Sequence, residues 1–171
     1  PPPPTEAPGP FVFLCVARIS AEKNQEGLIR AFAQAFPEGD EELHFIGSGE
    51  AAGLERLARE MGVADRVKVL GVCPPEDVRG RMASAGAVVL ASYVETFGVV
   101  VIEALSQGTP VIATISGGPE GILTPESGIL IPPGDDAALM RALAEIRARA
   151  AAGSGQIHQI PKEKAFVGAN P

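Results

Sequence analysis

An open, doubly wound α/β sheet of parallel strands, folded as a single domain, is what this sequence predicts, on three observations. From residue 11 to about residue 151, short apolar runs alternate with longer amphipathic stretches, the rhythm of βα units. Several of the short runs are apolar throughout, which means burial on both faces, as in a parallel sheet covered by helices. Of the 171 residues, 46% are hydrophobic, enough to build one core in a chain too short for a second full domain.

The elements follow in order. Strands are expected at 11–17, 43–46, 67–72, 87–91, 110–113 and 128–131. The first helix, at 24–36, places Leu28, Ile29, Phe32 and Phe36 on one face and pairs Glu26 with Arg30, four residues apart, on the other. Helices at 54–61, 75–84 and 136–151 have the same character. In such sheets ligands sit at the carboxyl ends of the strands.

The stretch YVETFGVVVIEALSQGTP, residues 93–110, needs a decision. Four β-branched residues, Val99, Val100, Val101 and Ile102, suggest a strand, but that strand would crowd between two others with almost no turn residues. A helix at 97–107 resolves this, with 92–96 as loop, Gly108 as C-terminal cap and Pro110 opening the next strand. Valine and isoleucine weaken an isolated helix by only a few tenths of a kcal/mol each, which packing recovers when the helix is buried on most sides.

The flanks differ in composition. Residues 1–10, PPPPTEAPGP, read as a polyproline-type linker, which hints at a fragment of a longer protein. Residues 152–171 have no sustained period and read as a loose tail, a packed-down arm or a remnant with no assigned function. The net charge of −7 and the scatter of the fourteen basic residues argue against a nucleic-acid binder. No apolar run approaches the roughly 18 to 20 residues of a membrane span. The two cysteines, Cys15 and Cys73, lack the spacing of a zinc site or a disulfide framework and fit a reduced, cytoplasmic setting.

Three motifs carry candidate chemistry. GSGEAAG, residues 47–53, follows the second strand where a dinucleotide fingerprint would follow the first, and its spacing is one residue too long. A glycine turn that lets the chain pass close to a helix start is the preferred reading. Arg18 and Lys23 leave the end of the first strand five residues apart, either as solvated charges or as a fork and a point charge for a diphosphate. In the 93–110 stretch, the N–H groups of Phe97, Gly98 and Val99 point out of the helix start toward an anion. Glu95 and Glu103 flank them at roughly 10 to 12 Å by helical rise. That separation is too long for a glycosidase acid and nucleophile. It suits two carboxylates accepting hydroxyls at opposite ends of an extended ligand. Glu103, in an otherwise apolar helix, is the one for which simple solvation explains least.

Taken together, ARISAEKNQEGLIRAF, LHFIGSGE, DRVKVLGV, ASYVETFGVVVIEALSQGTPVIAT, SGGPEGIL and GILIPPGD resemble the C-terminal, donor-binding domain of the retaining GT-B glycosyltransferases of group 1 (family four, glycogen-synthase-like). The resemblance runs in unbroken order over residues 11–151 and includes an E-x7-E pair. It implies a Rossmann-like half of a GT-B enzyme of polysaccharide or glycoconjugate biosynthesis. The donor would be a UDP-, GDP- or ADP-sugar, with no further cofactor and no essential metal. Arg18 and Lys23 match the pair that neutralises the diphosphate. Glu95 matches a contact to donor-sugar hydroxyls, and Phe97, Gly98 and Val99 the backbone beside sugar and phosphate. Glu103 matches the ribose contact, and Val72 and Cys73 the turn whose main chain binds the base. Catalytic roles therefore fall to Glu95, Arg18 and Lys23.

The chain departs from the family pattern in two ways. Where relatives commonly carry a glutamate after the GGP turn followed by one residue, it has Glu120 and then Gly121. The N-terminal domain that supplies most of the acceptor site is expected as a separate, missing part, without which transfer would not proceed. The full-length protein could then sit at the inner face of a membrane, though not through this domain. Two other classes are compatible with the fold: a non-catalytic regulatory or interaction module, and a related GT-B epimerase or phosphorylase.

Overall fold

The structure, a computed structural model, describes residues 9–95 and 97–153. The reading of 1–10 as a linker and of 152–171 as a tail falls almost wholly outside them.

Six strands form one parallel sheet: β1 (Val12–Val16), β2 (Glu42–Ile46), β3 (Val67–Val69), β4 (Ala87–Leu90), β5 (Val111–Thr114) and β6 (Gly128–Ile131). Their order is β3-β2-β1-β4-β5-β6. The chain builds outward from β1 on one side, then returns to lay β4 on the other. The reversal leaves a crevice between the carboxyl ends of β1 and β4, where doubly wound sheets bind ligands.

The continuous apolar runs have the predicted cause. Phe13 and Cys15 of β1, with Leu43, Phe45, Val89 and Ile112, face a core shared with α1 (Gln25–Ala35), α2 (Ala52–Glu60) and α5 (Asp136–Ala151). Leu14, Ile46, Val88, Leu90 and Val111 face the opposite core, closed by α3 (Pro75–Ser84) and α4 (Val99–Ser106). Successive strand residues thus alternate between two cores, and neither face of the central strands meets water.

Several expectations are adjusted. The first strand, predicted at 11–17, spans 12–16, and the third, predicted at 67–72, ends at Val69. A single 3-10 turn, Ala21–Lys23, precedes α1. Arg30 does not pair with Glu26; its Nε lies 3.3 Å from Asp136 Oδ2 at the start of α5, because α1 packs beside α5 and offers a carboxylate across the helix boundary. Helix α4 starts at Val99, two residues later than predicted, with Gly98 at φ 65° before it. At its other end Gly108 N–H donates to Leu105 C=O and Thr109 N–H to Ala104 C=O, the paired bonds of a Schellman cap.

Helix α4 is not buried on most sides. Val101, Ala104 and Leu105 face the core, while Val99, Ile102 and Glu103 are exposed. An isolated apolar sequence cannot reveal which of its faces a neighbour will cover.

Candidate functional site

The carboxyl end of β1 runs into Ala17 and Arg18, and the following 3-10 turn brings Lys23 back over the strand end. A buried glutamine holds this loop. Gln25 is 2% exposed; its Nε2 donates to Arg18 C=O at 2.9 Å, and its Oε1 accepts from Ser20 N–H at 3.4 Å. The glycines of GSGEAAG support the same loop from the β2 side. A Cβ on Gly47 would lie 2.0 Å from Ala17 C=O, so only glycine admits the close approach of the two strand-end loops. This agrees with reading that motif as a close-packing turn.

The second wall comes from the loop after β4. Tyr93 N–H donates to Glu22 C=O at 2.8 Å, tying this loop to the first, and Glu95 N–H donates to Ser116 C=O at 2.9 Å, tying it to the loop after β5. Gly117 lies so close that a Cβ there would sit 2.6 Å from Glu95 C=O. Glu95 is thereby fixed from both neighbours, and its carboxylate turns toward Lys23. Lys23 Nζ lies 2.5 Å from Glu95 Oε1, with the two side chains 22% and 14% exposed. Ser92, fully buried, donates its Oγ–H to the same oxygen at 2.7 Å. Behind it, Thr114 Oγ1 donates to Ser92 C=O at 2.6 Å.

Between these walls opens a cavity of about 310 Å³ at the switch point. Arg18, Lys23, Glu95, Phe97, Gly98 and Val99 all line it, together with Val100, which sequence reasoning missed. Because α4 begins at Val99, the outward N–H groups at its start are those of Val99 and Val100, neither of which has an acceptor among the described residues. Gly98 C=O instead takes the N–H groups of Val101 and Ile102. Arg18 is exposed, and its guanidinium has no partner among the described residues. The cavity therefore presents a free guanidinium, a partly engaged ammonium, a helix start and a carboxylate, a set suited to an anionic ligand that also carries hydroxyls.

The remaining predicted residues lie outside this cavity. Glu103 stands on the exposed side of α4, and its side chain has no partner among the described residues, so an apolar helix does not bury it. Val72 is 76% exposed on the loop after β3, beside half-buried Cys73. Glu120 accepts Gly117 N–H at 3.0 Å, closing the turn after β5. Cys15 lies at the end of β1 beneath the site, where burial pushes its thiol up to about 12. It stays protonated at neutral pH and is no nucleophile. A second hollow, of about 470 Å³ by the start of β1 and helix α3, contains none of the predicted residues.

Fold and site together define a Rossmann-like domain with a crevice at its topological switch point whose lining includes Arg18, Lys23 and Glu95. The family model for group 1 glycosyl transferases matches residues 2–149, and the chain belongs to that family. It is 37% identical over 129 residues to a D-inositol 3-phosphate glycosyltransferase of Corynebacterium diphtheriae, covering 70% of this chain and 30% of that protein. An uncharacterised glycosyltransferase of Methanocaldococcus jannaschii is 35% identical over 124 residues, covering 71% and 32%. The chain thus spans about a third of the curated relatives it matches. Among solved structures, Anabaena HepE in complex with UDP superposes with a TM-score of 0.79 at 26% identity, over 92% of this chain and 44% of that one. Sucrose-phosphate synthase from Thermosynechococcus elongatus superposes at 0.77 with 32% identity, over 93% and 40%. The fold is that of the GT-B glycosyltransferases.

Proposed function

We propose that this chain is the donor-binding domain of a retaining glycosyltransferase, taking a nucleotide-diphosphate sugar and acting together with an N-terminal domain that supplies the acceptor site. One observation carries the reading: Arg18, Lys23, Glu95 and the start of α4 converge on one cavity at the β1/β4 switch point. HepE, at 26 to 27% identity, has been solved with UDP and with UDP-glucose, which supports a uridine nucleotide as the first ligand to try.

In this reading Arg18 and Lys23, with the N–H groups of Val99 and Val100, hold the diphosphate and offset the negative charge that grows as it leaves. Glu95 accepts sugar hydroxyls. The acceptor O–H attacks the anomeric carbon as the bond to the diphosphate breaks, and its proton passes to a diphosphate oxygen, so no protein nucleophile is needed. Glu103 takes the ribose hydroxyls, and the main chain at Val72 and Cys73 takes the base. Phe97 and Val99, which line the cavity, are exposed apolar side chains, as are Tyr93, Val94 and Ile115 on the loops after β4 and β5, which favours a second domain closing over this end of the sheet.

Calorimetry with UDP, GDP and ADP, repeated on Lys23→Ala and Glu103→Ala, tests this. Binding of at least one nucleotide that weakens in both variants is expected. Heats that neither substitution changes would overturn the site.

A further inference from the structure

The two oxygens of Glu95 are not equivalent. Oε1 takes both Lys23 Nζ, at 2.5 Å, and Ser92 Oγ, at 2.7 Å. Oε2 has no partner among the described residues, yet it is not one of the buried unpartnered atoms, which are Ser20 Oγ and Glu41 Oε2. It is therefore the accessible oxygen of a cavity-lining side chain.

We infer that Ser92 is a positioning residue. By anchoring Oε1 it commits that oxygen to the protein and presents Oε2 to the sugar moiety of the ligand. This rests on the donor-site reading above.

Lys23 cannot do this alone. An ammonium on a flexible four-carbon stem pairs with either carboxylate oxygen and follows it through a rotation. A hydroxyl on a fully buried serine distinguishes the two, because its donor position is fixed by the backbone. That backbone is held in turn by Thr114, 1% exposed, whose hydroxyl donates to Ser92 C=O at 2.6 Å. The chain Thr114, Ser92, Glu95 thus runs from the end of β5 to the cavity wall with each link buried or half-buried. A carboxylate held in one rotamer recognises a hydroxyl without first losing rotational freedom.

The inference separates two affinities that the donor site would otherwise share. The diphosphate meets Arg18 and the helix start, which make no bond to Ser92, and Lys23, which is linked to Ser92 only through Glu95 Oε1. Only the sugar meets Glu95.

Calorimetry with UDP and UDP-glucose on the wild-type chain, Ser92→Ala and Thr114→Val reads this difference. In Ser92→Ala the ratio of UDP-glucose to UDP affinity is expected to fall about tenfold, the effect of a displaced charged acceptor, while UDP affinity stays within about twofold. Thr114→Val, close to isosteric, should lower the ratio in the same direction by a smaller factor. An unchanged ratio in folded Ser92→Ala overturns the inference. If that variant does not fold, an unchanged ratio in Thr114→Val does so.

Should the wild-type chain bind none of UDP, GDP, ADP or their glucose conjugates, the donor reading fails on its own account. The ligand-free crystal structure of Ser92→Ala, or of Thr114→Val if that serine variant does not fold, then decides the positioning. A rotated Glu95 carboxylate supports it, and Oε1 still on Lys23 with Oε2 still accessible refutes it.

Discussion

Lys23 and Glu95 stand 72 residues apart in the chain and meet at 2.5 Å, joining the loop after β1 to the loop after β4 across the switch point. Both side chains are mostly shielded, so the pair lies between a surface ion pair and a buried one. A double-mutant cycle with Lys23→Met and Glu95→Gln, read by urea unfolding, should return a coupling of about 1 kcal/mol. A coupling near zero would mean that the two loops are held by their backbone bonds alone.

Gly117 is expected to be far less tolerant than Gly121, four residues on. At Gly117, φ is +122° and a new Cβ would press on Glu95 C=O, whereas nothing lies within 4 Å of a Cβ at Gly121. Gly117→Ala should cost about 2 kcal/mol or more and weaken nucleotide binding, because the displaced backbone carries Glu95. Gly121→Ala should stay within about 0.5 kcal/mol. Thermal melting of both variants, with titration of UDP, makes the comparison.

Acid sensitivity is expected at the far side of the sheet. Glu42 on β2 accepts from His44 at 2.6 Å and from Lys68 at 3.1 Å. Partial burial works to raise its pKa, but the bonds and charges of His44 and Lys68 outweigh this and hold it below the ordinary 4.5. A folded pKa below the unfolded one means stability that is fully present above about pH 4.5 and is lost as pH falls through the lower folded value. Glu42→Gln should therefore be less stable than wild type at neutral pH, and the gap should close as the solution is acidified below 4.5. Urea unfolding at stepped pH measures it. A gap that widens toward low pH would reverse the sign of this account.

The two cysteines should react differently. Cys15 is 2% exposed with its thiol pushed up to about 12, while Cys73 is half-buried on a loop. A disulfide-exchange reagent at pH 8 should modify one thiol in the native chain and two in denaturant. Mapping the native adduct to Cys15 would contradict the packing described at the end of β1.

The order of strands and helices, and the class of the sheet, were legible in the sequence because both depend on short-range pattern. An apolar run of four or five residues signals burial on two faces, and the helices expected at 75–84 and 136–151 keep those starts in the structure, where Asp135 caps α5 through Ala138 N–H. That Arg18, Lys23 and Glu95 would lie near one another was legible too, because the loops after β1 and β4 leave neighbouring strand ends at the switch point.

The pairings inside the site were not legible. Nothing within a turn of Glu95 announces that its carboxylate will meet Lys23, and the serine three residues before it reads as an ordinary loop residue until Thr114 pins it in place. Arg30 illustrates the same limit: its i−4 neighbour Glu26 is the local choice, and Asp136, 106 residues away, is the one it takes. The apolar neighbours of Glu103 point to a buried helix, yet α4 covers the core with one face and leaves the other open. Local pattern thus settles which elements form, since hydrogen bonding and side-chain burial repeat every two or 3.6 residues. Which charges meet and which apolar face stays uncovered depends on how distant elements pack, and that carries no signature in any short stretch of chain.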